Sequence, residues 1–157
     1  MNKIKNMKNN NKHNKNLEKY WGELWKSKEK EKYFEEMLCD YLIKYKYHKI
    51  EDVLKRLPKN AKILEVGCGN SFWLRLIKKH HPKFKLYGLD ISKKSVEISK
   101  KYGIDAKIGD IRKAPYKDNQ FDLVFSWGVI EHFDETEEAI KEHIRITKKR
   151  GYAIIDT

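Results

Sequence analysis

The chain has 157 residues, 39% apolar and 37% charged, with 35 basic against 23 acidic side chains and a formal net charge of +12. That length suits one domain with a sizeable core, and no run approaches the roughly 18 apolar residues of a membrane span. Residues 1–16 lack the apolar stretch of a secretory leader, and two cysteines, Cys39 and Cys68, make no disulfide framework, so a reducing, cytoplasmic setting is expected.

Only five of the basic residues are arginine; thirty are lysine, which fits a solvated coat as well as a polyanion surface. The excess is uneven. Residues 1–62 hold 17 basic and 9 acidic residues (+8), and residues 63–157 hold 18 and 14 (+4). A solvated lysine coat is the expectation, and an RNA-facing N-terminal half is the alternative.

Residues 1–16 are rich in Lys and Asn, with five lysines and no acid, and read as a disordered basic tail. Residues 17–60 read as a helical cap. Tyr20, Trp21, Leu24 and Trp25 share one apolar face, Tyr33 to Tyr45 continue the pattern, and Ile50, Val53, Leu54 and Leu57 make a short helix stopped by Pro58. Tyr20 and Trp21 either pack on the core or cover a ligand.

Residues 61–157 alternate between strands and helices. Ile63, Leu64 and Val66 form a short buried strand ended by Gly67 and Gly69, with Asn70 and Ser71 as N-cap residues for a helix from Phe72 to before Pro82. Phe84 to Leu89 is the second strand, and Ser92 caps a helix that Gly103 stops. Ile104 to Ile108 is the third strand and Phe121 to Trp127 the fourth. Asp134 and Glu137 resemble a capping box opening a helix to about Lys148, and Tyr152 to Asp156 is the fifth strand. The fold class is α/β: a Rossmann-like, doubly wound parallel sheet of about five strands, with N-terminal helices.

In such sheets ligands bind beyond the carboxyl ends of the strands. The polar residues there are Glu65, Gly67 and Gly69, then Asp90, Asp110 and Ser126 with Trp127. A carboxylate at Asp90 can accept from both ribose hydroxyls of an adenosine; Asp110 can accept from the adenine amine, with Ile91 and Ile111 beside the base. Glu65 is costly inside an apolar strand unless paired, which a cationic ligand group or a backbone network would achieve. Phe72 stands where a dinucleotide motif needs its third glycine, and no Gly-Lys-Ser/Thr occurs, so a ligand without a diphosphate is expected. Cys68 reads as a small residue in a tight turn. His132 is the one histidine placed to act as a general base, its alternative being a helix-start residue satisfied by backbone. His80, His81 and His143 read as surface residues, and no histidine spacing suits a metal.

The segments I-L-E-V-G-C-G-N, L-Y-G-L-D-I-S, G-D-I and F-D-L-V-F-S-W-G-V-I-E-H-F, in that order, resemble the class I S-adenosylmethionine-dependent methyltransferases of the type 11 group. The resemblance covers residues 62–157. It implies S-adenosylmethionine as cofactor, with Glu65, Gly67, Cys68 and Gly69 at its methionine end, Asp90 on the ribose, Ile91, Asp110 and Ile111 at the base, and Ser126 and Trp127 near the sulfonium. It implies methyl transfer to a small-molecule or lipid-like acceptor, with RNA or protein as the alternative. Asn70 stands where a third glycine is often seen. The family sheet has seven strands, the last two forming an antiparallel addition, while this sequence stops after its fifth. The expectations that follow are a shortened cofactor-binding subunit, or self-association or a partner chain covering an exposed edge at Ala153-Ile154-Ile155.

Overall fold

The computed structural model describes residues 46–157 and the isolated Lys19. The basic tail expected over 1–16, the helices expected between 17 and 45, and Tyr20 and Trp21 lie outside the described residues.

Helix α1 (His48–Arg56) precedes strand β1 (Lys62–Val66). Leu57, directly before Pro58, turns extended at ψ 150°, as the proline ring requires of its neighbour. The chain continues through α2 (Phe72–His80), β2 (Lys85–Asp90), α3 (Lys93–Lys101) and β3 (Asp105–Ile108). A 3-10 turn at Ile111–Lys113 leads to β4 (Phe121–Trp127), and a second at Ile130–His132 to α4 (Thr136–Ile146) and β5 (Thr147–Asp156). The sheet order is β3-β2-β1-β4-β5, and every pairing is parallel.

Both faces of the sheet are covered, which is why its strands read as near-continuous apolar runs. Ile63, Leu123 and Phe125 face one cluster with Ile50, Leu54, Leu74 and Ile77. Leu64, Val66, Leu89 and Val124 face the other with Phe121, Ile130, Ala139 and Ile146. The register sets Val66 level with Leu89 and with Ser126, so the tips of β2, β1 and β4 finish side by side. The order reverses at β1, with β2 on one side and β4 on the other, and a crevice opens there.

Three expectations are corrected. The helix after the fourth strand ends at Ile146, and Lys148 lies in β5, which begins at Thr147. Thr147 Oγ1 donates to the His143 carbonyl at 2.7 Å and closes the last helical turn as the backbone turns extended. The pairing then skips from Phe121↔Thr147 to Leu123↔Tyr152, an irregularity that accommodates Lys148, Lys149 and Arg150. Asp134 and Glu137 form no capping box. The helix starts at Thr136 behind Glu135, with no side-chain cap bond, while Glu137 pairs with Lys141. His143 is not a surface residue: it is fully buried, and its Nδ1 lies 2.8 Å from the Ala139 carbonyl. Burial holds its pKa below the ordinary histidine value.

Among the described residues β5 pairs only with β4. Ile154 and Ile155 are half-buried against opposite core clusters, and Ala153 is exposed.

Candidate functional site

A cavity of about 320 Å³ opens at the carboxyl ends of the strands, a volume typical of small-molecule sites. Its wall includes Glu65, Gly67, Cys68, Gly69, Asp90, Ile91, Asp110, Ile111, Trp127 and His132. These are the expected site residues among those described, with one exception. Ser126 is fully buried beneath the wall and does not line the cavity. Its side chain points away because strand residues alternate and Trp127 takes the next position.

The loop from β1 to α2 is bound to the end of β2. The amides of Gly67 and Cys68 both donate to the Leu89 carbonyl, at 2.7 and 3.2 Å, and the Gly69 amide donates to Asp90 Oδ2 at 2.8 Å. Gly67 sits at φ +66°, and a Cβ there would lie 2.4 Å from Val129 Cγ2. Glycine is thus demanded both by the backbone and by the close approach of the loop after β4. The position lacking an expected glycine is Ser71, not Asn70: Ser71 holds φ +57° and takes the N-cap place without a side-chain cap bond. Its hydroxyl donates instead to Ser99 Oγ at 2.6 Å, which fastens the loop to α3. Asn70 Oδ1 accepts from the Phe72 amide at 3.1 Å.

Two carboxylates are buried in the wall. Asp90 is 7% exposed; Oδ1 accepts from the Ser92 amide and Oδ2 from the Gly69 amide, each at 2.8 Å. Those bonds leave part of the acceptor capacity of a carboxylate unused. Burial raises its pKa, and the two amides and the Ser95 side chain oppose the rise. Glu65 is 3% exposed, and its Oε2 has no partner among the described residues. Burial first, and then the Asp90 charge, push its pKa well above the usual carboxylate range, although the Leu74 amide donates to it. Cys68 is equally buried, and burial pushes its thiol up, so it is a neutral space-filling group and not a nucleophile. Its Sγ would lie 2.7 Å from a Cβ at position 88, which explains Gly88 in β2.

The far end of the cavity is held by a residue the sequence did not single out. Arg112 grips Asp110 through Nε and Nη2 (3.1 and 2.6 Å to Oδ2), and its amide donates to Oδ1 at 2.9 Å. Its Nη1 donates to Glu135 at 2.6 Å, and the guanidinium lies 4.6 Å from the centre of the Phe133 ring. Asp110 therefore lines the cavity with much of its acceptor capacity already taken by Arg112. Phe72, Trp73, Val129 and Phe133 also line the wall unanticipated. The Trp127 ring packs against Trp73 at 6.1 Å and Phe125 at 5.9 Å, with Lys46 Nζ 5.3 Å from its centre. His132 is exposed at the rim.

A protein-family model described as a methyltransferase domain matches residues 64–155. The chain belongs to this family. The family's methyl donor is S-adenosylmethionine. The wall suits that cofactor: an orphaned buried carboxylate oxygen at Glu65 matches a ligand ammonium, and Asp90 keeps acceptor sites for hydroxyls. Among curated relatives, the chain is 36% identical over 110 residues to a tRNA (carboxymethyluridine(34)-5-O)-methyltransferase of Xenopus tropicalis, covering 68% of this chain and 17% of that protein. It is 30% identical over 113 residues to an Arabidopsis thaliana protein of the same description, covering 70% and 27%. The chain thus spans well under a third of the length of these two relatives. Among solved structures, the PH0226 protein of Pyrococcus horikoshii aligns with a TM-score of 0.61 and 26% identity over 76% of this chain and 60% of that one. A methyltransferase solved in complex with the Trm112 activator of Haloferax volcanii aligns with a TM-score of 0.66 at 20% identity over 85% and 57%, a likeness of fold. Among the described residues no helix is long and apolar enough to cross a membrane, and no metal-binding cluster occurs.

Proposed function

We propose that this chain binds S-adenosylmethionine in the strand-end cavity and directs its methyl group to an acceptor presented at the rim. The observation that carries the reading is the meeting of β1, β2, β3 and β4 tips on one cavity, with Glu65, Asp90, Asp110 and Trp127 in the same wall. Glu65 meets the ammonium of the cofactor, the free acceptor sites of Asp90 take the ribose hydroxyls, and Ile91, Ile111 and Phe133 enclose the base. The bound cofactor supplies an electrophilic methyl group. The protein's part is positioning, which can contribute several kcal/mol of barrier reduction. Trp127 and Trp73 shape the acceptor side, and His132 at the rim takes a proton where the acceptor carries one.

For the acceptor we favour RNA. The two relatives described above are tRNA methyltransferases, and the chain carries +12. A small molecule is the second reading, favoured by the 28% and 34% identity to a demethylmenaquinone methyltransferase of Thermotoga maritima and an ajmaline N-methyltransferase of Rauvolfia serpentina. Transfer of labelled methyl from S-adenosylmethionine to bulk tRNA, with a salt series for binding, tests the choice. Incorporation with a steep salt slope supports RNA. A flat slope with incorporation only into small-molecule extracts overturns it.

A further inference from the structure

Towards the amino ends of the strands, away from the cofactor cavity, lies an open groove of about 720 Å³. Lys62 of β1, Lys107 of β3, Lys117 and Lys148 of β5 stand around it, with Asn119 and Gln120 between them. The register explains the gathering. Lys62 lies level with Lys85, and Lys107 with Leu89, so alternation along β2 puts Lys62, Lys85 and Lys107 on one face of the sheet. The chain between β3 and β4 forms a single 3-10 turn and leaves that face partly unroofed. The irregular start of β5 then sets Lys148, Lys149 and Arg150, all exposed, at the same end.

The carboxylates here are largely committed. Asp122 accepts from the Lys62 amide at 2.8 Å and from Lys148 Nζ at 2.7 Å, and Asp118 pairs with Arg145 at 2.6 Å. Asp105, exposed at the start of β3, remains. Lys62, Lys107 and Lys117 have no acidic partner among the described residues. The cavity mouth has the opposite character. Residues 131–138, which bring His132 and Phe133 to the cavity, hold five acids and neither lysine nor arginine. A polyanion is therefore repelled on that side of the mouth and drawn to the groove. The seven residues of β4 put about 20 Å between the two ends, a span that a folded RNA bridges.

We propose that this groove holds the phosphate backbone of an RNA, as an anchor separate from the methyl-transfer cavity. The lysine ammoniums take phosphate oxygens, which positions the RNA without reading its sequence. Tyr116, the one aromatic residue in the groove wall, is 7% exposed, with Lys107 Nζ 4.9 Å from its ring centre, so it offers no platform on which a base could stack. The choice of partner rests on the RNA reading proposed above.

The test uses the full chain and two triple variants of equal charge loss. Lys62→Gln, Lys107→Gln and Lys117→Gln strip the groove. Lys93→Gln, Lys100→Gln and Lys101→Gln strip exposed lysines of α3 that do not line it. Binding of bulk tRNA is titrated across a salt series, with polyglutamate as a protein-like polyanion and S-adenosylhomocysteine as the probe of the cavity. The groove variant should bind tRNA about tenfold or more weakly at ~50 mM salt, with the slope of log K against log salt reduced by about 2–3. The α3 variant should change by less than about threefold, and both should bind S-adenosylhomocysteine as wild type does. Equal losses of tRNA binding in the two variants show a general lysine coat and overturn the anchor while the RNA reading stands. A groove variant that loses polyglutamate but keeps tRNA also overturns it, in favour of an acidic protein partner. A wild-type chain that binds S-adenosylhomocysteine but no tRNA overturns the RNA reading, and the anchor with it.

Discussion

Replacing Gly67 with alanine should collapse the cavity wall from a single contact, and the contact can be isolated. At φ +66° an alanine occupies the left-handed region at a cost of about 1–2 kcal/mol. Its Cβ would also stand 2.4 Å from Val129 Cγ2, so the loop after β4 must retreat, adding the ~1–3 kcal/mol typical of overpacking. The sum is about 2–5 kcal/mol, a large share of a small domain's stability. Val129→Ala removes the obstructing methyls at a cost of about 1 kcal/mol, since Val129 is only half-buried. The double variant should then be more stable than the two losses added together, with a coupling of about 1–3 kcal/mol. Urea denaturation of the four proteins at constant slope measures it. Additive losses would show that Val129 is not what Gly67 makes room for, and the account of this loop would be wrong.

Ser71→Gly relieves the left-handed strain of about 1 kcal/mol but loses the buried bond to Ser99 Oγ, worth a similar amount, so its stability should match wild type. Ser71→Ala loses the bond without the relief and should fall about 1–2 kcal/mol below it, which paired melts decide. Arg112→Met strands Asp110 and Glu135; because those carboxylates are 21% and 29% exposed, the loss should be about 2–3 kcal/mol, under the ~3–5 of a fully buried pair. A loss below about 0.5 kcal/mol in urea melts would show the clamp to be ornamental. His143 has a depressed pKa in the folded state, so below about pH 6.5 unfolding takes up a proton and stability falls with acidity. Glu65 and Asp90, raised by burial, act in the opposite sense. The test is therefore the difference between wild type and His143→Gln from about pH 7.5 to about pH 5.5, which should shrink as pH falls.

The central strands were legible because their chemistry is redundant. Phe121, Leu123, Val124 and Phe125 make Phe121–Trp127 a mostly apolar run bounded by Asn119-Gln120 and Gly128, and it appears as read. The start of β5 was not legible, since Lys148-Lys149-Arg150 has neither an apolar face nor a breaker, and pairing to β4 alone makes it a strand. His143 was misread although a signal existed: Ala139, His143 and Ile146 fall at i, i+4, i+7, the buried stripe of α4. At the site, the strand-end acids and glycines could be read from spacing. Arg112 could not, because its partners lie two and twenty-three residues away and only the meeting of two loops joins them. Asn70 read as a cap, and it does accept from the Phe72 amide; what the sequence hid is that its Nδ2 is buried without a partner among the described residues.

The most direct measurement is a calorimetric titration of the folded chain with S-adenosylhomocysteine. One site per chain with a micromolar dissociation constant, competed by S-adenosylmethionine, is the predicted result. No heat at millimolar ligand, from a chain whose circular dichroism shows intact helix and sheet, would contradict it.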